Sequence, residues 1–198
     1  MNTGTRPPSP LLGGGWIQKV SQFFAREEAD RYFEELYTRV EWEDRRQRLV
    51  KWFGSFDYAY TGASHRAAPL PPLLEEMRRR VEAFTFGESR GQFQGVLLNL
   101  YRDGRDSVGF HADNEPVIKP DTPIVSLSLG AERSFVLQYS RTLPVGQPLP
   151  SPITVQLAHG DCLVMGGTMQ RFWKHSIPKD GRVTKPRINL TFREYNSR

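Results

Sequence analysis

The sequence predicts an α+β fold, with helices first and a β-sandwich or jelly roll after them. Two observations carry this prediction. Amphipathic segments of helical period lie before Gly91, and short β-prone runs separated by turn signals fill the chain beyond it. At 198 residues the chain can bury a core as one domain, and its single cysteine, Cys162, has no partner for an internal disulfide.

The opening stretch MNTGTRPPSPLLGGGW is rich in Pro, Gly and Ser, and a flexible tail is expected over residues 1–15. It shows no secretory signal, and no apolar run in the chain is long enough to span a bilayer. A soluble, cytoplasmic protein is expected, nuclear if the source is eukaryotic. From Ser21 to Val40, the residues Ala25, Ala29, Tyr32, Leu36 and Val40 form one apolar stripe, which predicts the first helix. The run LPPLLEEMRRRVEAF predicts the second, with prolines at its entrance and Leu73, Leu74, Met77 and Val81 at helical spacing.

The strands follow as FQGVLLNLY, IVSLSLG, RSFVLQY, ITVQLAHGDCLVM, RFWKHSI and RINLTF, divided by turn signals such as RDGRDS and PKDGR. In the second of these, Ile124, Ser126 and Ser128 alternate with Val125, Leu127 and Leu129. The net charge of +5 and a pI near 9.5 favour a polyanionic partner, nucleic acid first.

His111 and Asp113 stand two residues apart in a chain with four histidines. Residues i and i+2 of an extended segment project from one face, so the two side chains can reach a common ion. A third ligand must come from elsewhere. His65, in the loop-like TGASHRAAP, reads as solvated; His159, in LAHGDC, reads as a backbone cap at a turn; His175, in RFWKHSIP, is the best placed. Two imidazoles and one carboxylate form the facial triad of non-haem Fe(II) oxygenases, whereas a zinc site would more often add a histidine or cysteines.

The run KPRINLTFREY sets Arg187, Asn189, Thr191 and Arg193 on one strand face, opposite Ile188, Leu190 and Phe192. Two guanidinium groups on one face are costly to bury without anions, and a dicarboxylate that also chelates iron would provide one.

With these residues assembled, the chain resembles the AlkB family of Fe(II)- and 2-oxoglutarate-dependent nucleic-acid dealkylases. The matching stretches are NLYRDGRDSVGFHADNEP, PIVSLSLGAERSFVLQ, HGDCLVMGG, KHSIP and PRINLTFREY, within a likeness covering Leu49 to Tyr195. The twelve-residue step from His175 to Arg187 is nearer the human-type DNA-repair subgroup than the bacterial prototype.

The resemblance implies a double-stranded β-helix core over 91–198, and helices with a nucleotide-recognition lid over 16–90. It implies that His111, Asp113 and His175 hold Fe(II). Arg187 would bind the distal carboxylate of 2-oxoglutarate with Asn99, Tyr101 and Asn189 nearby, and Arg193 would lie beside the chelating end and Asp113. The stretch QRLVKWFGSFDYAYTG resembles the family's substrate side, so Tyr58 and Tyr60 would line the base pocket, Glu115 would contact the base, and Trp52 is a looser match. Two departures are visible: EWEDRRQR is shorter than the family's hairpin segment, and Asn114 stands where the human repair relative has aspartate.

The implied reaction uses dioxygen to convert 2-oxoglutarate to succinate and carbon dioxide, and demethylates bases such as 1-methyladenine or 3-methylcytosine with release of formaldehyde. The expected partner is alkylated nucleic acid, DNA before RNA, met by a monomer without a membrane. The basic runs EDRRQR and Arg78 to Arg80, with Lys51 and Arg102, are candidates for phosphate contact. Rival readings are an oxygenase of the same chemistry acting on proteins or small molecules, and a non-catalytic nucleic-acid-binding jelly roll.

Overall fold

Strand alternation and helical stripes solve one problem together: each sheet has an apolar face that must be covered. The computed structural model describes residues 8–60 and 63–196, without the side chains of Tyr60 and Ala63. In chain order the first half contains β1 (Ser9–Pro10), β2 (Gly15–Val20), α1 (Arg26–Arg39), β3 (Glu43–Asp44), β4 (Leu49–Gly54), β5 (Tyr58–Tyr60), β6 (Ala63–His65) and α2 (Pro72–Phe86). Then come β7 (Gly95–Tyr101), β8 (Val108–His111), β9 (Ile124–Gly130), β10 (Arg133–Tyr139), β11 (Ile153–Leu157) and β12 (Cys162–Gly167). The short α3 (Met169–Phe172), β13 (Trp173–Ile177) and β14 (Arg187–Arg193) complete the fold.

The strands form a larger sheet in the order β1-β2-β12-β9-β14-β7-β4-β3, a smaller sheet β11-β10-β13-β8, and the hairpin β5-β6. Together the first two make the jelly roll. The larger sheet turns Val125, Leu127, Leu129, Ile188, Leu190 and Phe192 toward the helices, where Ala29, Tyr32, Leu36, Leu74, Met77 and Val81 meet them in one buried cluster. Burying such side chains contributes roughly 1.5–3 kcal/mol each, so this interface dominates the stability of the outer layer. The opposite face looks toward the smaller sheet, and the site forms there.

β14 is the central strand. It pairs antiparallel with both β9 and β7, setting Asn189 opposite Ser128 and Asn99. α2 begins with proline in its first turn and ends at Gly87, whose φ of 81° supplies the left-handed cap that a side chain would resist. No described helix is long and apolar enough to cross a membrane.

Three expectations need correction. The expected tail over 1–15 does not hold for its described part, where Ser9 and Pro10 pair with Ile17 and Trp16; residues 1–7 lie outside the described residues. The first helix starts at Arg26 instead of Ser21, because Gln22 takes a φ of 51° and the chain turns there to bury Phe24. Residues 16–90 are more than helices and lid, since β2 and β4 both enter the larger sheet, beside β12 and β7.

Candidate active site

β8 and β13 are neighbours in the smaller sheet, and their register puts His175 directly opposite His111. Facing cross-strand residues have Cβ atoms about 5 Å apart, which explains how two histidines distant in sequence come together. Their ring centroids are 4.3 Å apart. Asp113 follows just past the end of β8, its backbone N–H donating to Gln170 Oε1 at 2.9 Å. One ligand atom from each of His111, Asp113 and His175 lies within 4.8 Å of the other two.

The electrostatics suit a cation. Burial works against the Asp113 charge, yet Arg193 outweighs it, with help from the two histidines, and the carboxyl is held down at about 2. Arg193 donates to one oxygen, Asp113 Oδ2, through Nε at 3.1 Å and Nη2 at 2.8 Å. The other oxygen, Oδ1, is buried with no hydrogen-bond partner among the described residues. Burial and the neighbouring His111 push His175 down to about 3, so its imidazole stays neutral. His111 Nδ1 donates to the Gly109 carbonyl at 2.9 Å, which leaves its Nε2 lone pair on the Asp113 side. Two neutral imidazoles and an ionised carboxylate with an open oxygen fit a divalent first-row metal.

The chamber wall behind this triad comes from β14 and β7. Arg187 is 1% exposed. It donates to Ser128 Oγ at 2.9 Å, while its Nε and Nη1 have no hydrogen-bond partner among the described residues. Burial pulls it down to about 10. The Tyr101 ring lies 5.3 Å from the guanidinium carbon. Asn189 is committed within the chain, donating to Ser126 Oγ and the Leu127 carbonyl and accepting from Thr191. Asn99 Oδ1 accepts from Arg48 Nε at 2.7 Å.

Arg48 is the residue that sequence reasoning missed. It reads as part of a surface basic run, but it is buried and lines the chamber. The available signal is spacing: Arg48 shares a strand face with Val50 and Trp52, both buried.

On the substrate side, Glu115 has a buried oxygen, Oε2, without a hydrogen-bond partner among the described residues. Burial and then Asp113 raise its pKa, against Arg193. Trp52 and Tyr58 are not open to a base as the resemblance implied. Trp52 is 1% exposed, bonds the Phe56 carbonyl at 2.9 Å, and stacks on the buried Tyr58 ring at 4.6 Å. A Cβ added at Gly54 or Gly95 would come within 2.3 or 2.1 Å of the indole, so both glycines make room for it. Trp52 is a packing residue. The side chain of Tyr60 lies outside the described part.

Much of the charge of the basic runs is paired within the chain. Arg78 pairs with Glu75 and Glu82, Arg80 with Glu28, Lys51 with Glu43, Arg102 with Asp106 and Asp44, and Arg105 with Asp103. His65 is buried, not solvated, with Nδ1 3.0 Å from Glu43 Oε2. His159 does cap backbone, accepting from the Gly130 N–H at 2.8 Å.

The sequence profile of the 2OG-Fe(II) oxygenase superfamily matches residues 17–193. The chain belongs to that superfamily. It is also 34% identical to mouse DNA oxidative demethylase ALKBH2, over 86% of this chain and 77% of that protein. Human ALKBH2, of the same name, is 34% identical over 86% and 70%, and human alpha-ketoglutarate-dependent dioxygenase alkB homolog 3 is 33% identical over 84% and 61%. This AlkB-like oxygenase shares its fold with the solved structure of OsALKBH1, at a TM-score of 0.64 and 16% identity, over 95% of this chain and 100% of that one. The AlkB-like dioxygenase therefore uses Fe(II), 2-oxoglutarate and O2, and the triad His111, Asp113 and His175 is its metal site.

Proposed function

We propose that this oxygenase demethylates N-alkylated bases such as 1-methyladenine and 3-methylcytosine, in DNA before RNA, acting as a monomer. The observation that carries the reading is the chamber that combines the triad with the open nitrogens of Arg187, with Glu115 near enough for Asp113 and Arg193 to act on its charge. The names of the ALKBH2 relatives support DNA as the substrate, and the basic pI agrees with a polyanion.

Bound Fe(II), 2-oxoglutarate and dioxygen supply the oxidation of the N-methyl carbon, with succinate, carbon dioxide and formaldehyde as products. The chain's residues provide the placement. Arg187 would hold the distal carboxylate of 2-oxoglutarate by charge and by the donors its own fold leaves open. Tyr101 and Asn99 flank that end from β7. Arg193 keeps Asp113 ionised and oriented, so that Oδ1 remains available to the metal. Glu115 offers negative charge to a methylated base, which carries a positive one.

The test measures formaldehyde and succinate from oligonucleotides carrying 1-methyladenine, in matched single- and double-stranded DNA and RNA. Equal yields of the two products, greatest on DNA, are expected. Succinate release without formaldehyde from any methylated base would redirect the reading to a protein or small-molecule substrate.

A further inference from the structure

Phe110 immediately precedes a metal ligand, yet it is 46% exposed. Its position follows from an irregularity in β8. The register with β13 runs from His175 opposite His111 to Ile177 opposite Val108, so the β8 side holds one residue more than its partner. In a regular strand residues i and i+3 face opposite ways; this bulge lets both Val108 and His111 line the metal chamber. The intervening Gly109 and Phe110 are turned out of it, and both are exposed.

The ring is delivered to a second concavity. This groove, about 330 Å³, is lined by Arg45, Gln47, His65 and Phe110, and falls within the range of roughly 300–1,000 Å³ typical of ligand pockets. It shares Arg48, Val108 and His111 with the chamber, so the two adjoin. Its far side is the β3–β4 turn, closed by the Arg45 N–H bond to the Arg48 carbonyl and tied to the start of β8 by Ser107 N–H to the Gln47 carbonyl, both at 3.0 Å. The exposed tip residues Arg45, Arg46 and Gln47 are polar, and Arg45 pairs with Glu43 at 3.1 Å. The groove thus offers one flat apolar ring beside a cationic turn. That combination matches a nucleotide, whose base stacks while its phosphate meets the cations.

We propose that Phe110 is the stacking platform for the base next to the alkylated one in a single strand, with the Arg45–Arg46 turn facing that nucleotide's phosphate. The proposal rests on the nucleic-acid demethylase reading and specifies how the strand leaves the same site. Phe110 contacts no reacting atom; it fixes which base reaches the metal.

The experiment is an anaerobic anisotropy titration of the iron- and 2-oxoglutarate-loaded protein with labelled single-stranded DNA pentamers containing one 1-methyladenine. Each flanking nucleotide is replaced in turn by an abasic residue. One such replacement weakens wild-type binding about 5- to 100-fold. Phe110→Ala shows a similar loss on the intact pentamer and no further loss at that abasic position, and Phe110→Trp restores both. Phe110→Ala binding the intact pentamer like wild type, or responding to every abasic position as wild type does, overturns the proposal. In either case wild-type binding and formaldehyde release from the same pentamer are untouched, so the demethylase reading stands. A wild type that neither binds the pentamer nor releases formaldehyde overturns both.

Discussion

Two buried charges show how this molecule separates structure from chemistry. Glu82, on α2, is 0% exposed and fully engaged. One oxygen accepts from Arg78 Nη1 and the Phe93 N–H, both at 2.8 Å; the other accepts from Ser89 Oγ at 2.5 Å and the Gly91 N–H at 3.1 Å. Arg187, equally deep, has Ser128 and two nitrogens without a hydrogen-bond partner among the described residues. A buried charge that its own chain satisfies ties elements together, here the end of α2 to the start of β7. One left open carries a desolvation penalty that only a ligand removes. Depth alone does not distinguish the two; the remaining donors and acceptors do.

Removing the open charge is expected to have the largest effect on function. Arg187→Met raises the KM for 2-oxoglutarate on the order of 100-fold or more, as expected when one partner of a buried charged pair is truncated. Its denaturation midpoint stays level or rises, because an apolar side chain replaces an unsatisfied cation. A large loss of stability in this variant would break the comparison at its root.

Glu82→Ala is the converse. It leaves Arg78 Nη1, Ser89 Oγ and two backbone N–H groups without their acceptor, and a loss of about 3–5 kcal/mol is expected in urea denaturation. Turnover per folded molecule is unchanged, since Glu82 touches nothing in the chamber. Reduced kcat at full folding would move Glu82 into the functional class.

His65 is an intermediate case and gives the smallest effect. It is buried with one carboxylate neighbour, Glu43, and burial lowers its pKa against the pull of that carboxylate. A histidine whose folded pKa lies below its unfolded value of about 6.5 stabilises the fold above that pH, and the contribution drains away on acidification. Wild-type stability should therefore fall as the pH drops below about 6.5 toward the lower folded value, and His65→Gln should flatten that slope. Parallel slopes for the two proteins would show that His65 contributes nothing.

Much of the site was legible before the structure. The alternation in β14 announces both its faces, and both arginines on the polar face are indeed buried. His111, Asp113 and His175 could be named from spacing and context, and they converge. The misses share a cause. β2 is six residues without strict alternation, Trp16 and Ile17 being adjacent, and its pairing with β12 places it in the sheet. Arg48 looks like one arginine among several until β4 pairs with β7 and directs it inward. Arg80 and Arg102 suggest phosphate contact, but acids from distant segments pair with them, Glu28 with Arg80 and Asp44 with Arg102.

The amino-acid order by itself determined the helices, the alternating strands and the identity of the metal ligands, because side-chain periodicity and donor chemistry are local properties. Only the tertiary structure decided which charges remain unsatisfied, which aromatics are enclosed, and that a bulge turns Phe110 outward. Those outcomes depend on what lies across the sheet or the chamber, and a linear pattern does not encode the neighbour on the far side.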